Sequence, residues 1–352
     1  MPMTGARPEL PPAALRLEID REALMANWRA LASLSGSART GAAVKADGYG
    51  LGAEAVVPAL RSAGCRDFFV TYASEAEAIL GSAPASEIAL LHGPLTPAVA
   101  VWAKETGVRP VINSVTQARY WLDAGGGVCD LMVDTGINRL GLSMAETGDP
   151  AITALDIDVL HSHLASADEA SALNAMQLSR WQDARRIVRH RRASLANSAG
   201  ITLGDAYHGD LTRPGLSLYG GVAVPALESR IRQVARPLAA IMQVRGIAAG
   251  EGVGYNATFI AQRDMRIGAV AIGYADGYLR CWSDRGTMLC KGRRLPVIGR
   301  VSMDMTIIDL SDAPDVGEGD WAEIEYGLPA ASAASGLSQY ELLTLLADRF
   351  AR

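Results

Sequence analysis

The stretch "AAVKADGYG" (42–50) places Lys45 at the end of an apolar run, just before a polar, glycine-rich turn. Lysine is among the side chains least often fully buried. One carried into a core is a candidate for chemistry, because burial lowers an amine's pKa and makes it a usable nucleophile or base. Four later segments set polar groups beside apolar runs. "DTGINRLG" carries Arg139, "HSH" carries His161 and His163, "ANS" carries Asn197 and Ser198, and "TRPG" carries Arg213 and Gly215. A lysine, two arginines, a histidine and a small Ser/Gly pair are what an anionic, phosphate-bearing carbonyl cofactor would need. Taken singly, each has a plainer reading. Lys45 could lead its ammonium back to solvent, Arg139 could make a surface ion pair, His163 could be a satisfied core histidine, and Ser198 could cap a helix. The set outweighs its members only if one fold gathers them.

The elements that would gather them are legible. Apolar runs at 41–45, 67–70, 87–91, 109–112, 130–134, 158–164, 193–197 and 216–220 read as strands. Most are separated by segments with helical spacing. In 21–34, Leu24, Trp28, Leu31 and Leu34 recur at three or four residues, with Asp20 as a natural N-cap. Segment 168–192 reads as a long charged helix with Ser166 or Asp168 as its cap. Eight strands alternating with helices predict a parallel sheet, and eight is the count that closes a (β/α)8 TIM-type barrel, whose strand C-termini carry the chemistry. An open doubly wound sheet is the alternative, but "KADGYGLG" does not fit its G-x-G-x-x-G turn. After about residue 225 the helical spacing fades. "AAIMQVRGI", "RIGAVAIGY", "TMLCKGRRLPVIG", "MTIIDL" and "WAEIEYG" follow one another between short turns. The chain thus divides into a leader (1–13), a barrel (14–225) and a mostly-β C-terminal domain (226–352). "PAASAASG" reads as a small loop and "GLSQYELLTLLADRFAR" as a final helix.

Composition removes several function classes. The 352 residues carry a formal net charge of −5 and no basic stripe, which argues against nucleic acid as a partner. No apolar run reaches membrane-spanning length. Cys65, Cys129, Cys281 and Cys290 form no CxxC pair and match no zinc spacing, so no metal is expected. Scattered thiols fit a reducing cytosol. The proline-rich N-terminus shows no uninterrupted apolar h-region, so no signal peptide is expected and the protein is expected to be cytoplasmic.

The ordered blocks "VKADGYG", "DTGINRLG", "HSHLASAD", "ANSAG", "TRPGLSLYG", "VGYNATF", "AIGYADG" and "GRVSMDM" resemble the alanine racemase family from Lys45 to Met305. The resemblance implies a barrel that binds pyridoxal 5′-phosphate, a β-domain with which the strand "ALRLEID" packs, and a homodimer with shared active sites acting on a small amino acid. It implies that Lys45 holds the cofactor as a Schiff base and serves as one base. It implies that Tyr255, from the partner subunit, is the other. Lysine would take the proton of D-alanine and tyrosine that of L-alanine. A tyrosine's ordinary pKa is near 10, so His163 and Arg213 would assist Tyr255 through a hydrogen-bonded chain. Arg213 would face the pyridine nitrogen and keep it unprotonated. Tyr49, Ser198, Gly215 and Leu216 would hold the phosphate, with Asn197 beside them. Arg139 would meet the cofactor's phenolic oxygen and the substrate carboxylate, and Met303 would bind that carboxylate through its N–H. Tyr274 and Asp304 would line the entrance. The activity implied is interconversion of L- and D-alanine for peptidoglycan synthesis. The alternatives are a broader amino-acid racemase, a decarboxylase or lyase on the same architecture, or a non-catalytic cofactor-binding protein.

The sequence departs from the family at four places. Met132 stands where many members have a lysine, carbamylated in some, that orients the arginine, so Arg139 needs another partner. Ser302 replaces a cysteine, and Leu51 replaces a histidine. Phe350 falls near a phosphate-binding tyrosine.

Overall fold

The computed structural model describes residues 11–346 and 349–351. Most of the expected leader, residues 1–10, lies outside the described residues, as do 347, 348 and 352. The chain forms two compact units. One runs from Asp20 to Val234. The other joins β1 (Leu15–Ile19) to the chain from Ala235 onward.

The first unit is a closed parallel barrel. Its strands are β2 (Arg39–Thr40), β3 (Ala42–Ala43), β4 (Phe68–Val70), β5 (Ile88–Leu90), β6 (Arg109–Ile112), β7 (Val128–Met132), β8 (Asp156–His161), β9 (Arg192–Ser194) and β10 (Leu211–Thr212). Strands β3 to β9 pair in chain order, each parallel to the next. β10 pairs in parallel with β2. Backbone bonds close the ring on either side of it: Gly41 N–H donates to Thr212 O at 2.9 Å, and Arg213 N–H donates to Ala196 O at 2.8 Å. β2 and β3 are one strand interrupted at Gly41. A Cβ at Gly41 would stand 2.8 Å from both Asp67 O and the Phe69 ring, so only glycine lets the neighbouring strand approach. Eight strands therefore close the barrel, as the alternation predicts.

Helix Arg21–Leu34 has the predicted bounds. The Asp20 carboxylate accepts from Ala23 N–H at 2.8 Å, and Leu24 and Leu31 are fully buried. Four expectations for local structure are corrected. Segment 216–220 is not the eighth strand: Leu216–Tyr219 is a 3-10 turn, and β10 takes the strand's place. All four residues of that turn are buried, and a short, wholly buried run carries no period that distinguishes strand from helix. The helix expected over 168–192 spans Ala172–Ile187 and is capped by Ser171, whose hydroxyl accepts from Leu173 N–H, rather than by Ser166 or Asp168. "PAASAASG" lies in a helix, Leu328–Ser335, with Pro329 in its first turn, where a missing N–H costs nothing. The final helix is shorter than expected, Gln339–Thr344, and is opened by a capping box of Ser338 and Glu341.

The second unit is built from β11 (Ala235–Ile247), β12 (Gly252–Val253), β13 (Phe259–Ile260), β14 (Met265–Val270), β15 (Thr287–Cys290), β16 (Arg293–Pro296), β17 (Thr306–Asp309) and β18 (Trp321–Ile324). The sheet order is β16-β15-β18-β11-β14-β17, and β1 pairs antiparallel with β11. A bridge between Val297 and Ile308 joins the two ends of this order. Burial alternates along the first half of β11, so one face of that strand makes core.

Candidate active site

Lys45 opens a turn of left-handed backbone. Ala46, Asp47, Gly48, Tyr49 and Gly50 have φ of 52°, 51°, 63°, 56° and 83°. The region is open to glycine, but it costs a residue with a Cβ about 1–2 kcal/mol, and three of the five carry one. Hydrogen bonds hold the turn. Gly48 N–H reaches Val44 O at 2.9 Å and Gly50 N–H reaches Ala46 O at 2.8 Å. The Asp47 carboxylate accepts from Ala53 N–H at 2.8 Å, and the Glu75 carboxylate accepts from Ala46 N–H at 2.7 Å. The predicted strand 41–45 therefore stops at Ala43, and Lys45 is set at its C-terminal mouth by a strained bend. The half-buried amine has its pKa lowered, first by burial and then by Arg139, with Glu75 acting in the opposite sense.

Tyr49, Ser198, Gly215 and Leu216 come together. The Tyr49 ring is buried and stacks on Tyr219 with centroids 4.7 Å apart, while the Tyr219 hydroxyl donates to Ala43 O at 2.7 Å. Gly215 lies against the Tyr49 hydroxyl, where a Cβ would stand 2.2 Å from the oxygen. Ser198 Oγ accepts from the N–H groups of Gly215 at 3.0 Å and Ser217 at 3.3 Å. Asn197 Oδ1 accepts from Gly200 N–H at 2.9 Å. The result is a cradle of backbone N–H groups and small hydroxyls.

Arg213 is buried and donates to Ser194 Oγ and, at 2.6 Å, to Ser162 O. Burial brings its pKa down to about 10, which still leaves it charged at neutral pH. His163 is pushed down to about 3 by burial and by the cations Arg213, Arg139 and Lys45, so it is neutral. His161 differs in kind. It is fully buried with Nε2 3.2 Å from the Asp130 carboxylate, and burial takes it to about 4. His161 is thus a core histidine held by Asp130, with its Nδ1 lacking a hydrogen-bond partner among the described residues. Arg139 sits on an exposed loop organised by Asp134, whose carboxylate accepts from the N–H groups of Gly136, Ile137 and Arg139. Met132 is buried, and among the described residues no side chain bonds the Arg139 guanidinium.

In the second unit, Tyr255 is 66% exposed on a turn between Gly254 and Ala257. Gly254, Asn256 and Ala257 all have positive φ. Met303 is 53% exposed, and its carbonyl accepts from Ala275 N–H at 3.0 Å. Tyr274 N–H donates to Ser302 O at 3.0 Å, so Tyr274, Met303 and Asp304 lie on two interlocked loops. Arg280 covers the Tyr274 ring at 5.4 Å. Asp304 pairs with Arg349 at 2.8 Å, and Arg349 also lies 3.2 Å from the buried Asp276. Phe350 is buried beside Ala351, which bridges to Arg16 of β1.

The barrel mouth thus offers an amine with a lowered pKa, the fixed cation Arg213, neutral imidazole and an N–H cradle that a single Cβ would fill. These residues fit pyridoxal phosphate: an aldehyde for Lys45 and a phosphate for the cradle. Among the described residues no group of three or more His, Cys, Asp and Glu could hold a metal ion, and no helix is long and apolar enough to cross a membrane. Sequence reasoning missed Glu75, Ser162, Ser194 and Tyr219. Only Glu75 left a signal, as the acidic residue of a helix's first turn. The others act through contacts between segments distant in the chain.

The family model "Alanine racemase, N-terminal domain" matches residues 19–223, and "Alanine racemase, C-terminal domain" matches 234–352. "Alanine racemase" of Methylobacterium nodulans is 40% identical, covering 96% of this chain and 95% of its own length. "Alanine racemase, biosynthetic" of Agrobacterium fabrum is 37% identical over 97% of this chain and 93% of its own. "Alanine racemase, catabolic" of Rhizobium johnstonii is 39% identical over 96% of this chain and 93% of its own. The crystal structure of alanine racemase from Bartonella henselae with covalently bound pyridoxal phosphate superposes with a TM-score of 0.89 at 34% identity, covering 97% of this chain and 99% of that one. This chain belongs to the alanine racemase family.

Proposed function

We propose that the protein is a pyridoxal-phosphate-dependent isomerase that interconverts L- and D-alanine with two bases, Lys45 and Tyr255. The observation that carries this reading is Lys45 itself, an amine of lowered pKa at the mouth of a closed barrel, in a chain of this family. Ser198, Gly215, Leu216 and Tyr49, with Asn197 beside them, would hold the phosphate, and Arg213 the ring nitrogen. When bound, the cofactor supplies an electron sink for the Cα–H bond of the substrate.

Racemisation needs a proton group on each face of a planar Cα. Lys45 Nζ serves one face, since burial and then Arg139 lower its pKa and so favour the unprotonated amine that a base requires. Tyr255 Oη, contributed by a second copy in a homodimer, serves the other, and its exposure leaves it available to a partner. Neutral His163 can pass a proton without adding charge, because burial and then the surrounding cations keep it unprotonated. Arg213, charged and fixed on two acceptors, cannot protonate the ring nitrogen. An unprotonated ring nitrogen would be the weaker electron sink, which would favour return of a proton to Cα over other outcomes. Arg139 and the Met303 N–H would orient the substrate carboxylate, with Tyr274 and Asp304 at the entrance. The product would supply D-alanine for peptidoglycan; the relatives named biosynthetic and catabolic are about equally similar to this chain. A racemisation assay with Lys45→Ala as the control tests the activity, and growth of a D-alanine auxotroph carrying this gene tests the role. Lys45→Ala protein that racemises alanine at the parental rate would falsify the assignment of Lys45.

A further inference from the structure

Glu75 holds the strained turn after Lys45 from outside. Glu75 uses both carboxylate oxygens. Oε1 accepts from Ala46 N–H at 2.7 Å, and Oε2 accepts from Thr71 N–H at 2.6 Å and from Tyr72 N–H at 3.4 Å. Thr71 directly follows β4, the strand beside β3. Glu75 therefore ties the residue after Lys45 to the mouth of the neighbouring strand. Capping the helix Ala73–Ile79 accounts for the bonds to Thr71 and Tyr72. It does not account for the bond to Ala46.

The charges around the amine point the same way. Arg139 and Glu75 act on Lys45 in opposite senses. Lys45 in turn acts on His92 and His163, whose pKa values are both lowered. Among these groups Glu75 is the carboxylate facing a cluster of cations and neutral rings. We propose that Glu75 is the positioning residue of Lys45: its carboxylate pins the left-handed turn that aims the lysine and supplies the negative charge that offsets Arg139 at the amine. The proposal rests on Lys45 being the functional amine.

The test titrates Lys45 directly in the full chain freed of cofactor. Acetylation by acetic anhydride is followed across pH and read at Lys45 by peptide mass spectrometry. Turnover against pH is measured on the same proteins with cofactor restored. Glu75→Gln removes the charge and should move the Lys45 midpoint down by about one pH unit. Glu75→Asp keeps the charge but is one methylene too short to span both N–H groups. It should leave the midpoint in place and lower kcat roughly tenfold. An unmoved midpoint in Glu75→Gln, or equal shifts in both variants, would reduce Glu75 to a helix cap and overturn the proposal. If Glu75→Gln does not fold, Glu75→Asp decides: slowed turnover with an unmoved midpoint supports the proposal, and parental turnover overturns it. Full activity of Lys45→Ala would instead defeat the reading of Lys45, an outcome the midpoint measurement does not mimic.

Discussion

The Tyr49 hydroxyl closes over Gly215 so tightly that a Cβ on residue 215 would lie 2.2 Å from Oη and 2.9 Å from Cζ. Tyr49 cannot retreat easily, because its ring is buried against Tyr219 and its backbone belongs to the left-handed turn. Gly215→Ala should therefore disturb the phosphate cradle itself. We expect a loss of about 1–3 kcal/mol in stability from overpacking and at least a roughly tenfold weaker pyridoxal phosphate affinity, read by fluorescence titration. Adding Tyr49→Phe should restore part of the stability by removing the closer atom. Gly215→Ala protein that binds cofactor like the parent would refute the cradle.

Tyr255→Phe should abolish L-to-D turnover while leaving the cofactor bound. Sharing of sites between subunits has its own test. Mixing Lys45→Ala and Tyr255→Phe proteins under conditions that exchange subunits should restore roughly one quarter of parental activity, since half the dimers become mixed and each has one intact site. If each chain carries a complete site, no activity returns.

Arg139 lowers the Lys45 pKa. Arg139→Ala should raise it, and the acid limb of kcat against pH should move to higher pH because the amine must lose its proton to act as a base. KM for alanine should rise as well, through the lost contact with the carboxylate. A raised KM with an unmoved acid limb would separate Arg139 from Lys45 and leave it a substrate-binding role alone.

The buried His161 makes stability depend on pH. Its folded pKa is about 4, against an ordinary 6.5. Between these values the unfolded chain holds a proton that the folded chain does not, so stability rises with pH across that window and is lost as pH falls from about 6.5 toward 4. His163 adds to the same slope, down to about 3. His161→Gln keeps a donor for Asp130 but cannot titrate. Its denaturant midpoint should change less between pH 7 and pH 4.5 than the parent's, at equal cofactor occupancy. An equal change in both proteins would place the dependence elsewhere.

Local chemistry made much of this protein legible from sequence. The helix Arg21–Leu34 follows from its apolar spacing and the Asp20 cap, which act within a few residues. The alternation of strands and helices foretells the barrel because parallel strands need crossovers. Lys45 announces itself as a polar residue where an apolar strand ends. Tertiary contacts decided the rest. Gly48 and Gly50 hint at a turn, but Ala46, Asp47 and Tyr49 adopt left-handed backbone only because bonds such as that from Glu75, 29 residues away from Ala46, offset the strain. The run 216–219 could not be told from a strand in the sequence because burial on every side erases its period. The helix Leu328–Ser335 went unseen because its small residues bury few large side chains. The stacking of Tyr49 on Tyr219 and the choice of Glu75 as the carboxylate facing Lys45 depend on which strand ends meet when the barrel closes. No single segment encodes that relation, because it exists only after eight strands have paired.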